Sequence, residues 1–328
     1  MDHAFATPIA LFIFNRPEPT SRVFAEIALQ KPKRLLIVAD GPRESRPGEA
    51  MLCQQARDIV QQIDWDCEVS TNFSDVNLGC KQRVSSGLDW VFSQVEEAII
   101  LEDDCVLHPT AFEYCRQLLD RYRDDPRVMH ISCANLTQER DPKTSYHFSR
   151  YPHVWGWASW RRAWQRYDVT MRAWREADDP AQYLRSFERK SVRRFWKDIW
   201  DRVSAGEIDT WDYQWSFACL SHYGLTITPN VNLVSNIGFG VDATHTTDPS
   251  SKVNAMQTEA LRFPLRHPDH FSVDVEADRA IEMMHYSAPS FLHRSRSAVY
   301  RFALKEWKHL QHWRSQHWPR AGNSVGVG

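Results

Sequence analysis

The chain has 328 residues, enough for one large α/β domain with a C-terminal elaboration. Hydrophobic residues at 42% and charged residues at 25% place it with ordinary globular proteins and exclude a disordered or collagen-like chain. A net charge of −2 gives no electrostatic ground for a nucleic-acid partner, and none is expected.

The first apolar run, 9–14, reads as a buried strand. It is too short for a signal peptide or a membrane span, with no basic region ahead of it and Arg16 and Glu18 behind. The seven cysteines form no C-x-x-C pair, and their odd number cannot all pair within the chain, so a reducing cytoplasm is expected. Residues 35–39 and 98–101 read as further buried strands, and 66–73 alternates like a strand with one buried face. Between them, 20–29, 48–63 and 79–95 carry apolar residues at helical spacing. Strand-helix alternation implies a mostly parallel sheet covered on both faces, in which ligands sit beyond the carboxyl ends of the strands.

All four strands run into polar groups: Asn15-Arg16, Asp40-Gly41, Asp75-Val76-Asn77 and Glu102-Asp103-Asp104. Four such ends in succession point to one ligand cleft. Three adjacent carboxylates after a buried strand repel one another unless something positive sits there, and Mg²⁺ or Mn²⁺ beside substrate phosphates meets that need; a solvated acidic turn is the plain alternative. Asp40 could accept the ring N–H of uracil, or simply close a turn. Asn15, Arg16, Lys81 and Arg83 add polar and cationic groups near the same edge, with the helix start at Gly79 offering phosphate donors.

Past Ser132 the alternation fails and aromatic residues crowd in, with a long charged helix expected over 180–205. Fourteen Trp in the chain suit either stacking on sugars and bases or a Trp-rich core. Residues 291–320 hold Arg294, Arg296, Arg301, Lys305, Lys308, Arg314 and Arg320 against the single acid Glu306, interleaved with Trp307, Trp313 and Trp318. That pattern suits peripheral contact with the inner face of an anionic membrane, or an amphipathic helix docked on the catalytic part.

The stretch Gly87-Leu88-Asp89-Trp90-Val91-Phe92, followed by residues 96–107 with Glu102-Asp103-Asp104 and by Pro109, Phe112, Glu113 and Tyr114, resembles the N-acetylglucosaminyltransferase I family of inverting GT-A glycosyltransferases and related bacterial proteins. Tyr151-Pro152-His153-Val154-Trp155-Gly156-Trp157 is similar to that family's proline and Gly-Trp loop, and the likeness covers about half the chain. It implies a GT-A α/β fold with a helical, aromatic-rich C-terminal elaboration: a catalytic domain over 1–250, with a donor half to about 135 and an acceptor half beyond, then an extension over 251–328.

It also implies a metal-dependent transfer from a nucleotide-sugar donor, a UDP-sugar by preference, to a glycan or lipid-linked acceptor. Asp104 would hold Mn²⁺ (or Mg²⁺), Glu102 and Asp103 would touch sugar or ribose, Asp40 uracil, and Arg16 the donor. Arg83 falls where the family has a base-contacting histidine. Asp212 of Trp211-Asp212 matches the general base, His245 is a candidate second metal or diphosphate ligand, and Trp155 and Trp157 are candidates for the acceptor. A helix-capping role for the 209–212 segment stays open.

Two other readings compete. A sugar-phosphate nucleotidyltransferase would share the fold, but such enzymes carry a glycine-rich loop where this chain reads Asn15-Arg16-Pro17-Glu18-Pro19. A catalytically silent nucleotide- or carbohydrate-binding protein would explain the Trp residues and leave the carboxylates without work.

Overall fold

The computed structural model describes residues 5–137, 143–238 and 256–286. The three apolar runs form β1 (Ile9–Ile13), β2 (Arg34–Ala39) and β4 (Glu97–Glu102), and the alternating segment forms β3 (Glu68–Phe73), which has no buried residue where one buried face was expected, because it is the edge strand; α1 (Pro17–Gln30), α2 (Glu49–Ile59) and α3 (Gly79–Gln94) separate them. Pro17 opens α1, where its missing N–H costs nothing. There follow β5 (Cys105–Leu107), α4 (Pro109–Arg121), β6 (Val128–Ser132), β7 (Tyr146–Ser149), β8 (Trp157–Trp160), the one-turn helices α5 (Arg161–Trp164) and α6 (Arg172–Arg175), α7 (Lys190–Ser204), α8 (Asp212–Ser221), β9 (Leu225–Pro229), β10 (Val234–Asn236) and α9 (Val275–Ile281).

Eight strands join one sheet in the order β3-β2-β1-β4-β8-β6-β9-β7, while β5 and β10 pair apart. The pairs from β3 to β4 are all parallel, as is β6 with β9; β8 runs antiparallel to both β4 and β6, and β7 to β9. The result is a mixed, mostly parallel α/β sheet flanked by helices. Successive residues of β1 feed opposite faces, as the strand pleat requires: Ile9, Leu11 and Ile13 meet α1 and α4, whereas Ala10 and Phe12 meet α3. A Cβ at Gly87 would lie 2.6 Å from Phe12 and 2.7 Å from Val38, so the absent side chain lets α3 press onto the sheet.

Two further expectations change. The Gly-Trp loop runs into β8, which inserts mid-sheet, because Trp157, Ala158, Ser159 and Trp160 are all buried and pair with strands on both sides. The single helix over 180–205 is a 3₁₀ turn at Pro180–Leu184 followed by α7. Between them the Ser186 carbonyl accepts from Arg150 Nη1 at 2.6 Å and the Phe187 carbonyl from Arg193 Nε at 2.6 Å, which takes those groups out of any helix ladder. The stretch 256–286 is tied to the strands before it. Asp278 in α9 anchors this stretch, accepting from Ser149 Oγ at 2.6 Å and Arg150 Nε at 2.9 Å, and Tyr151 Oη donates to Glu282 at 2.7 Å.

Of the eleven described Trp, eight are buried: 157, 160, 164, 174, 196, 200, 211 and 215. A cluster of Trp174, Trp196, Trp200, Phe187 and Phe217 joins α6, α7 and α8. Among the described residues the Trp excess is core.

Candidate functional site

Strand order reverses beside β1: β2 and β3 lie on one side and β4 on the other. Such a switch point leaves a crevice beyond the strand ends. Here the cleft measures about 1250 Å³. Its walls come from 12–19 at the end of β1, from Asp40, Arg43, Arg46 and Glu49 between β2 and α2, and from the start of α3. Glu102 and Asp103, residues 207–209 and Ile237-Gly238 complete them.

The acidic strand end has its own cation. Arg16 forms an ion pair with Asp103 and a second with Asp104, the latter at 3.0 Å between Nη1 and Oδ2. Asp103 also accepts the Phe14 N–H at 3.3 Å, so both its oxygens are engaged. Burial opposes charge on Arg16, but Asp103 and Asp104 outweigh it and hold the guanidinium above its ordinary value. Burial pushes Asp103 up against the pull of Arg16. Glu102 is pushed up further, by burial and then by Asp104 and Asp103, against a smaller opposing pull from Arg16.

Among the described residues no three His, Cys, Asp or Glu side chains form a complete metal cage. Asp103 and Asp104 both hold Arg16, and Glu102 is in no ion pair among the described residues. That donor set suits a hard cation completed by ligand oxygens and not an all-protein site. His245 lies outside the described residues.

On the opposite wall Asp40 does different work from the one expected. Its carboxylate takes the backbone N–H of Gly41 (2.9 Å), Leu78 (2.9 Å) and Gly79 (3.1 Å) and the amide of Asn77 (3.0 Å). A carboxylate has about four acceptor positions, so none is left for a uracil N–H. Asp40 clamps the entry to α3. Burial still raises its pKa, and the three backbone N–H groups pull the other way.

Arg83 reaches back to the end of β3, bonding the Asn72 carbonyl and, at 2.8 Å, Asn72 Oδ1; it is 7% exposed, and burial lowers its pKa. Its Nε has no hydrogen-bond partner among the described residues. Asn15 donates to Glu49 Oε1 at 2.9 Å. Glu49 is 4% exposed and receives the Arg43 N–H at 2.7 Å and its guanidinium, bonds that hold the Glu49 carboxyl below its ordinary value. Glu49 escaped the sequence reading, although an acid in the first turn of the helix after a polar strand end is a visible signal.

Asp212 opens α8 and accepts the Thr210 hydroxyl. No side-chain cap bond forms at this helix start, so the capping alternative is not what is built. The Cys80 thiol, on the cleft wall, is pushed up by burial and then by Glu102, Asp212 and Asp209, so these three carboxylates share one neighbourhood. Asp209 lines the cleft, and its Oδ2 lies 3.4 Å from where a Cβ of Gly79 would stand. Trp157 does not reach an acceptor: it is 1% exposed, with its ring centroid 5.0 Å from that of His130 and 5.7 Å from that of Trp215. Trp155 is half-buried against the core.

No protein-family model matches the chain, and no curated protein matches its sequence. Among solved structures it is similar to mouse xyloside xylosyltransferase 1 in its apo form, at 10% identity and a TM-score of 0.32 over 66% of this chain and 82% of that one. It is also similar to UTP-bound UGPase from Acinetobacter baumannii (10%, TM-score 0.32, 68% and 85%). A third likeness is to 4-diphosphocytidyl-2C-methyl-D-erythritolsynthase from Anaerococcus prevotii (10%, TM-score 0.31, 60% and 84%).

Proposed function

We propose that the cleft binds a nucleoside-diphosphate sugar and that the chain transfers the sugar to a hydroxyl of a glycan or lipid-linked acceptor. One observation carries this reading. At the switch point of the sheet, one cleft is lined by arginines and carboxylates, with Glu102 in no ion pair among the described residues, Asp103 and its neighbour Asp104 sharing Arg16, and a buried Arg83 Nε–H that has no partner among the described residues. A ligand with a polyanionic middle and polar ends answers both walls.

In this reading Glu102 and Asp104 would hold Mn²⁺ or Mg²⁺. The cation supplies neutralisation of charge on the leaving diphosphate. Arg16 and Arg43 orient the phosphates, and the Asn15 amide, anchored by Glu49, faces the nucleoside side of the cleft. Asp212, steadied by the Thr210 hydroxyl, accepts the proton of the acceptor hydroxyl on the face away from the diphosphate, giving inversion. With Asp40 saturated, uracil has no dedicated acceptor there, so the base is an open variable of the assay.

A panel of uridine, guanosine, cytidine and adenosine diphosphate sugars, with and without Mn²⁺, tests the reading. Slow metal-dependent release of nucleoside diphosphate is the expected result. Pyrophosphate release from nucleoside triphosphate plus sugar phosphate would instead make the chain a nucleotidyltransferase, and silence in both would leave a binding protein. Among the described residues no helix is long and apolar enough to cross a membrane. The 291–320 segment lies outside those residues. Its charge excess supports peripheral attachment to an anionic surface at the cytoplasmic side, which salt-sensitive binding to anionic vesicles, lost on ending the chain at Ala288, would check.

A further inference from the structure

Arg16 and a divalent cation need the same atoms. The guanidinium fork spans Asp103 with one arm and Asp104 Oδ2 with the other, at 3.0 Å. The pair is covered as well: a Cβ on Gly238 would overlap Asp104 Oδ2 and come 2.8 Å from Arg16 Nη1, so the backbone after β10 closes directly over the ion pair. A cation placed on Asp104 with Arg16 unmoved would stand against a fixed positive charge. We infer that Arg16 is a built-in counter-cation that must release Asp104 before a metal can be held there, and that an arriving diphosphate is what takes Arg16 over.

The inference rests on the diphosphate reading of the cleft and adds an order to it. A guanidinium bonds phosphate oxygens in the same two-pronged geometry as carboxylates. The exchange therefore leaves nothing unpaired: Arg16 moves from Asp104 to the diphosphate, and Asp104 moves from Arg16 to the cation. Asp103 keeps the Phe14 N–H throughout. Because each ligand removes an obstacle for the other, cation and nucleotide bind with positive coupling, and by linkage the factor is the same in both directions. Arg16 acts here as a positioning residue, since it works through Asp104.

The experiment follows Mn²⁺ binding by electron paramagnetic resonance of the free ion, for Mn²⁺ alone and with UDP or GDP present, in wild type, Arg16→Gln and Arg16→Lys. Wild type is expected to bind Mn²⁺ weakly alone and about tenfold or more tighter with nucleotide, within the usual range of coupling between sites. Arg16→Gln should bind Mn²⁺ alone about tenfold or more tighter than wild type and lose most of the nucleotide effect. A purely structural role for Arg16 would only weaken binding. Arg16→Lys, whose ammonium lacks the fork, should fall between the two and serves if Arg16→Gln does not fold by circular dichroism. Mn²⁺ alone binding no tighter to a folded Arg16 variant than to wild type overturns the inference while leaving the cleft reading intact. Failure of wild type and variants to bind both Mn²⁺ and nucleotide sinks the cleft reading, and the inference with it.

Discussion

Two buried regions of this molecule use burial in opposite ways. Under α7 and α8, Trp174, Trp196, Trp200 and Phe217 fill space with rings whose centroids lie 5.2–5.9 Å apart and carry no charge. At the ends of β1 and β4, Asp103 is buried and Glu102, Asp104 and Arg16 are half-buried around it, where the loss of water raises the cost of every unpaired charge. Aromatic richness among the described residues therefore reports packing, and the polar strand ends report a charged cleft. Each region can be broken without touching the other.

The largest effect on the fold belongs to the aromatic region. Trp200 is 0% exposed, and Trp200→Ala should cost about 3–5 kcal/mol in urea unfolding while the remaining folded fraction keeps its affinity for nucleotide. Loss of nucleotide affinity in folded Trp200→Ala would show that the two regions are coupled after all. Next in size, Asp212→Asn should lower turnover at saturating donor by about 10²-fold or more, since an amide cannot take the acceptor's proton, with donor affinity unchanged. If donor affinity falls instead and turnover at saturation holds, Asp212 binds and another group is the base.

The smallest effect sharpens the charged side. Glu102 and Asp103 have folded pKa values raised above the ordinary carboxylate range, so they favour the folded state when protonated at low pH. That contribution is lost as pH rises through the raised values. The melting temperature of the metal-free protein should decline from mildly acidic to mildly alkaline pH, and Glu102→Gln should flatten the decline. An unchanged slope in Glu102→Gln would place the titrating charge elsewhere.

What could be read in advance divides along the same line. The bounds of β1, β2 and β4 are local facts: four to six apolar residues, then a polar stop. The gathering of their ends at one cleft follows from parallel order alone. Partners could not be read in the same way. Arg16 meets Asp103 across 87 positions and Asp40 meets Leu78 across 38, and no spacing rule reaches that far. So Asp40 looked like a free acceptor and proved to be a clamp, and a cation was sought for carboxylates two of which already hold Arg16. Trp157 looked like a sugar platform for a related reason. Its neighbours Gly156 and Trp155 read as loop, while pairing to β4 and β6 turns the segment into a central strand.

The central claim is that Glu102 and Asp104 with a divalent cation hold a nucleoside diphosphate in this cleft. Calorimetric titration of UDP and GDP into wild type and Asp104→Ala, with Mn²⁺ and with chelator, tests it directly. The account predicts binding by wild type that depends on Mn²⁺, and loss of that dependence in an Asp104→Ala protein whose circular dichroism is unchanged, with turnover down at least about 10³-fold. Equal, Mn²⁺-dependent affinity in both proteins would contradict it.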